Sequence, residues 1–234
     1  MSTFLYLDNW RTPQPTTRFD TALKDSGLEV LRLRTNEGEF PDGVDFCGVY
    51  VSPSFNAAYD DEPWIHQEHE VLCRLAEAQV PMIGLCFGSQ ILASSLCGRD
   101  QVVLRPEREK GYGSITLTDT ARNEDPLTRG LPETVPVFHW HEDEVRANHP
   151  DVQILGFSAH CANQIWRWRR GPVWGVQPHP EFDRRQVVDW FAANRAAFEA
   201  GGLDYDELTT RADDNVIAAR LIDNFLSYVI GAPI

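Results

Sequence analysis

Residues 80–85, Val-Pro-Met-Ile-Gly-Leu, form an almost unbroken apolar run, and a helix-like stretch at 89–96 follows after only three residues. A strand without polar alternation must be covered on both faces, which places it inside a sheet flanked by helices. The rest of the first half supports that placement. Strand-length apolar runs occur at 4–7, 28–33 and 44–51. Between them, 16–26 reads as a helix closed by Gly27, and 63–79 as a helix with Pro63 in its first turn. Alternation of this kind belongs to βαβ units on a mostly parallel sheet. The second half changes to short strand candidates at 115–117, 135–140, 152–157, 164–168 and 173–177, with a hairpin turn over Arg169-Arg170-Gly171-Pro172. Helices over 184–199 and 215–228 are expected to finish the chain. No repeat, low-complexity tract or Pro/Ser-rich linker divides it, so residues 1–234 read as a single domain.

Charge narrows the range of partners. With 21 Lys and Arg against 35 Asp and Glu, the net charge is −14. Nucleic-acid backbones and anionic membranes would repel such a chain, so neither is an expected partner. The basic and aromatic stretch Ile165-Trp166-Arg167-Trp168-Arg169-Arg170 reads as amphipathic strand packing, with Trp166 and Trp168 on one face and Arg167 and Arg169 on the other. No apolar run approaches the roughly 20 residues needed to span a bilayer, and MSTFLYLDNW does not read as a secretory signal. Five widely spaced cysteines without a C-x-x-C pair make a poor disulfide or zinc framework, which favours a reducing cytoplasm.

One of those cysteines stands apart. Gly84-Leu85-Cys86-Phe87-Gly88 joins the apolar strand directly to the following helix, in the manner of a G-x-S-x-G nucleophile elbow with a thiol in place of the hydroxyl. So tight a turn needs glycine two residues before and two after the nucleophile. A helix N-terminus also stabilises a thiolate, and the N–H of Phe87 would face a developing oxyanion. A thiolate enzyme further needs a base and a group to orient it. Val176-Gln177-Pro178-His179-Pro180-Glu181 supplies both: two prolines stiffen the backbone around His179, and Glu181 can reach back to its imidazole.

Together the two segments resemble the class I glutamine amidotransferases, whose pattern is G-x-C-x-G-x-Q followed near the C-terminus by H-P-E. The resemblance runs over about residues 44–181. Glu109-Lys110-Gly111-Tyr112-Gly113, His139-Trp140-His141-Glu142-Asp143 and Cys161-Ala162-Asn163-Gln164 are similar to further family segments, in family order. Tyr59-Asp60-Asp61-Glu62-Pro63-Trp64-Ile65 resembles stand-alone members related to the amidotransferase half of GMP synthetase. The resemblance implies an α/β three-layer sandwich with a central, mostly parallel sheet of flavodoxin-like type. It also implies Cys86 as nucleophile, His179 as base and acid, Glu181 as the histidine's partner, and Gln90 and His141 as substrate contacts. His139 and His141, two apart on a strand, could suggest a metal site, but they coincide with a family segment that binds none. Neither metal nor organic cofactor is expected.

One segment departs from the family. Aligned without gaps, Pro53 and Ser54 stand where the family has two oxyanion-hole glycines, and Phe55 stands for the proline that follows them. Proline has no N–H to donate, which leaves Ser54 beside Phe87 as the oxyanion donor. Pro178 also replaces the aromatic residue usual before the H-P-E histidine. The expected reaction is hydrolysis of the glutamine side-chain amide through a γ-glutamyl thioester, with ammonia passed to an acceptor synthase in trans. Two alternatives stay open: a free-standing hydrolase of γ-glutamyl peptides or conjugates, and a regulatory homologue with a degraded site.

Overall fold

Local capping fixes where several helices begin. Thr17 and Asp20 form a reciprocal capping box ahead of α1 (Arg18–Ser26), which follows strand β1 (Thr3–Asp8) and ends on left-handed Gly27. Next come β2 (Glu29–Arg34), β3 (Gly48–Val51), α2 (Pro63–Glu77), β4 (Met82–Leu85) and α3 (Phe87–Cys97). The second half comprises β5 (Val102–Leu117), α4 (Asp119–Asn123), β6 (Thr134–Val145), β7 (Val152–Phe157), β8 (Ile165–Trp168), β9 (Val173–Val176), α5 (Arg184–Ala193), α6 (Arg195–Ala200), α7 (Tyr205–Thr210) and α8 (Val216–Ile230). These elements belong to a computed structural model that describes residues 3–231.

The strands form one nine-stranded sheet in the order β2-β1-β3-β4-β9-β8-β7-β5-β6. Pairing is parallel from β2 through β9 and antiparallel beyond it, so seven strands run one way and only β8 and β5 run the other. Alternate residues of the central strands feed two cores. Phe4, Tyr6, Tyr50, Ile83 and Leu85 pack on one face against Phe19 of α1 and Phe225 of α8. Leu5, Leu7, Val49, Val51 and Met82 pack on the other against Ile65 and Leu72 of α2 and Ile91 of α3. Helices therefore cover both faces, and the α/β three-layer sandwich expected from the sequence is present. None of the described helices is long and apolar enough to cross a membrane.

The structure corrects several element boundaries. The expected helix over 184–199 is two helices, because Asn194 caps α5 with its N–H on Trp190 O and its side-chain amide on the same carbonyl. The runs at 115–117 and 135–140 are parts of the long hairpin β5–β6, whose polar stretch pairs across the ladder with a register shift between Leu104 and Glu109. That stretch lacks apolar alternation, so periodicity could not reveal it.

Glu68 of α2 is fully buried, and neither of its carboxyl oxygens has a well-formed hydrogen bond among the described residues. Burial lifts its carboxyl from 4.5 to about 8, and the Asn9 amide, which favours the anion, offsets only part of that rise. The folded protein thus keeps a proton that the unfolded chain releases near 4.5. Stability from this group is complete below that pH and declines toward about pH 8, by up to about 1.4 kcal/mol per pH unit. Glu68→Gln removes the titration, so its urea-unfolding stability is expected to decline less than the wild type's between about pH 5 and about pH 8. Parallel pH profiles for the two proteins would contradict this account.

Candidate active site

Cys86 sits between β4 and α3 with φ +50° and ψ −110°, a positive-φ conformation that a non-glycine residue adopts only under strain. The flanking glycines make the turn sterically possible. A Cβ on Gly84 would lie 2.3 Å from the backbone of Gly88, and one on Gly88 would lie 2.1 Å from Val51 O. The elbow is therefore packed against the end of β3 without room for a methyl group. The Cys86 N–H donates to Val176 O at 2.8 Å, fastening the turn to β9.

That fastening explains how distant residues meet. Because β9 pairs beside β4, the segment leaving β9 emerges next to the elbow and carries His179 to Cys86. The His179 Nδ1 lies 2.7 Å from Glu181 Oε1, and both side chains are almost wholly buried. Burial favours neutral imidazole. The charge of Glu181, together with charge and hydrogen-bond interactions with Cys86, outweighs it and holds the His179 pKa well above its ordinary value. These partners favour the protonated imidazole, which lies between a carboxylate and a sulfur. Phe182 stacks on its ring at 5.4 Å, and Phe138 flanks it at 6.0 Å.

The loop after β3 is held by a neighbour that sequence reading did not single out. Asn9 donates its N–H to Ser52 Oγ at 2.8 Å and its side-chain amide to Ser52 O at 3.1 Å. Ser54 Oγ accepts the N–H of Asn56. Ser54 and Pro53 line a cavity with Cys86 and His179, while Phe87 opens α3 directly behind the sulfur.

Gln90 and His141 are not brought to that cavity. The Gln90 amide donates to Asp143 O and Gln177 Oε1, both at 3.3 Å. His141 places Nδ1 2.9 Å from Asp143 O and Nε2 3.1 Å from Glu109 Oε2. Glu109 also accepts from Gln164 at 2.7 Å and from Ser158 at 3.2 Å. Burial alone would raise the Glu109 carboxyl, but its partners, chiefly His141, pull it down to about 2. His139 joins the cluster, so ligand-type atoms of Glu109, His139 and His141 lie within 4.8 Å of one another. Burial lowers His139 to about 4 and leaves it neutral. The cluster ties β5 and β6 to the residue that leads into β8.

Asn215 is the most informative residue that the sequence did not reveal. Fully buried at φ +53°, it accepts the Phe138 N–H and donates to Phe182 O at 2.8 Å and His179 O at 3.4 Å. It joins the start of α8 to both β6 and the histidine loop. Locally it reads as an ordinary helix-capping asparagine, and nothing in its immediate sequence announces these contacts.

Known proteins share this architecture. The chain is 29% identical over 180 residues to gamma-glutamyl peptidase 5 of Arabidopsis thaliana, covering 73% of this chain and 70% of that protein. It is 31% identical over 115 residues to a subunit of the glutamine-hydrolyzing GMP synthase of Methanospirillum hungatei, covering 47% of this chain and 58% of the relative. In fold it is similar to a glutamine amidotransferase from Thermotoga maritima, with a TM-score of 0.79 at 20% identity over 99% of each chain. The profile of the class-I glutamine amidotransferases matches residues 17–191. With three quarters of its length matched and the same three-layer fold, the chain belongs to the class-I glutamine amidotransferase family.

Proposed function

We propose that the protein cleaves a γ-glutamyl amide through a thioester on Cys86. The observation that carries this reading is the strained thiol elbow sharing a cavity with a buried His179 whose Nδ1 meets Glu181. The Cys86 thiolate attacks the γ-carbonyl carbon, and the carbonyl electron pair moves onto oxygen, facing the N–H groups of Phe87 and Ser54. His179 then gives its proton to the departing nitrogen as the C–N bond breaks. The neutral imidazole next takes a proton from water, whose oxygen attacks the thioester and releases glutamate. Glu181 keeps the imidazole oriented and balances its charge. Gln90 and His141, next to these residues in the fold, remain the proposed substrate contacts.

The chain is read as one amidotransferase-like domain working in the cytoplasm, in keeping with five widely spaced cysteines that make a poor disulfide framework. Glutamine with an acceptor synthase in trans is supported by similarity to the GMP synthase of Methanospirillum hungatei. A free-standing γ-glutamyl hydrolase is supported by similarity to a gamma-glutamyl peptidase over more of the chain.

A γ-glutamyl electrophile tests the shared chemistry. Burial pushes the Cys97 thiol up to about 12 and raises that of Cys73. Peptide mapping after labelling at neutral pH is expected to find Cys86 modified at least about 100-fold faster than either. Equal labelling of the three would instead indicate a degraded site and a regulatory role.

A further inference from the structure

The cavity at Cys86 is not shaped for ammonia alone. Its walls include Trp10, Phe55, Trp140, Phe182, Val187 and Trp190, and among the described residues no Asp, Glu, Lys or Arg lines it. Its volume is about 110 Å³, on the scale of the roughly 150 Å³ apolar cavity that admits benzene. Position fixes which part of a substrate it would receive. His179 protonates the leaving nitrogen, so the leaving group lies on the imidazole's side of the sulfur. Phe182, whose ring stacks on His179, lines the cavity on that side together with Val187 and Trp190 of α5. Trp190 meets Trp140 edge-on at 4.6 Å, which makes a stiff aromatic end wall. At the mouth, Phe55 is 75% exposed and packs at 5.3 Å on Trp10. At this position, aligned with the family's proline, Phe55 places an aromatic ring.

We infer that the preferred substrate is a γ-glutamyl amide whose amine carries one uncharged ring, and that this ring fills the aromatic cavity beside Cys86 and His179. The inference rests on the nucleophilic role proposed for Cys86 and specifies the leaving group. Attack by Cys86 forms the C–S bond and breaks the C–N bond, and the nitrogen takes the His179 proton. The neutral ring-bearing amine then departs, and water hydrolyses the thioester. Ammonia has no apolar surface to bury in such a cavity. A benzyl-sized ring gains the transfer free energy of its apolar area before and during acylation.

The test compares kcat/KM, which reports acylation, for glutamine, γ-glutamyl-ethylamide and γ-glutamyl-benzylamide. Mass spectrometry of the Cys86 peptide is run on each quenched reaction. The benzylamide is expected to exceed glutamine about 10- to 100-fold, with the ethylamide between them. Trp190→Ala and Phe55→Ser are each expected to shrink the benzylamide-to-glutamine ratio several-fold. A ratio within one protein is independent of how much of it folds, so destabilised variants remain informative. Similar values for all three amides, with the γ-glutamyl thioester still seen on Cys86, would overturn the ring pocket and leave the thiol chemistry standing. A high ratio unmoved by both substitutions would overturn the placement of the ring. Absence of thioester and of turnover with every amide would refute both the pocket and the role of Cys86.

Discussion

Cys86→Ala is expected to release no measurable glutamate from any γ-glutamyl amide, a loss of at least about 10⁴-fold. The size of the effect follows from how the site divides the work. His179 and Glu181 act on the substrate only through the nucleophile, so without sulfur they have no covalent step to assist. The fold, by contrast, has little stake in that atom. Alanine keeps the Cβ, so the φ of +50° is no harder to adopt than it is for cysteine. The thermal midpoint is expected to move by no more than about 4 °C, the response of a domain this size to about 1 kcal/mol. Glutamate release measured beside a thermal melt separates the two quantities. Retained turnover by a folded Cys86→Ala protein would remove the sulfur from the mechanism.

Gly88→Ala is expected to do the opposite, damaging the fold first and the chemistry as a result. The added methyl would lie 2.1 Å from Val51 O and 2.8 Å from Val51 C, atoms of a central strand that cannot rotate aside. Overpacking ordinarily costs up to about 3 kcal/mol when side chains can shift. Here the obstacle is main chain, so the loss is expected to exceed about 3 kcal/mol, with a melting temperature lower by about 10 °C. Gly43 provides the control, since a Cβ there meets nothing within 4 Å. Gly43→Ala is expected to stay within about 0.5 kcal/mol of the parent. Indistinguishable melts for the two variants would mean that the elbow is not pressed against β3.

The thiol turn could be read from the chain because its constraints are local. Gly84 and Gly88 collide with atoms brought close by the turn itself and by the strand next to it, so five consecutive residues record the geometry. His179 and Glu181 were legible for a related reason: they leave the end of a strand together, and a three-residue motif fixes their mutual reach. The central apolar strand announced the sheet, and alternating apolar runs announced its parallel half. Other features depend on partners far along the chain. The polar residues of β5 pair with β6 across a register shift and leave no apolar rhythm. Trp10, Trp140 and Trp190 share one cavity although they come from three separated segments. Gln90 and His141 lie in the predicted segments, and their hydrogen bonds to Asp143, Gln177 and Glu109 are contacts no motif encodes.

Asn215 gives the last helix a part in chemistry it never touches. Its amide NH2 donates to the carbonyls of His179 and Phe182, while its oxygen accepts the N–H of Phe138. A peg at the tail end of the polypeptide thus seats the proton carrier at the centre. Peeling α8 from the body would withdraw that peg, so the reactive core and this helix loosen as one event rather than as two.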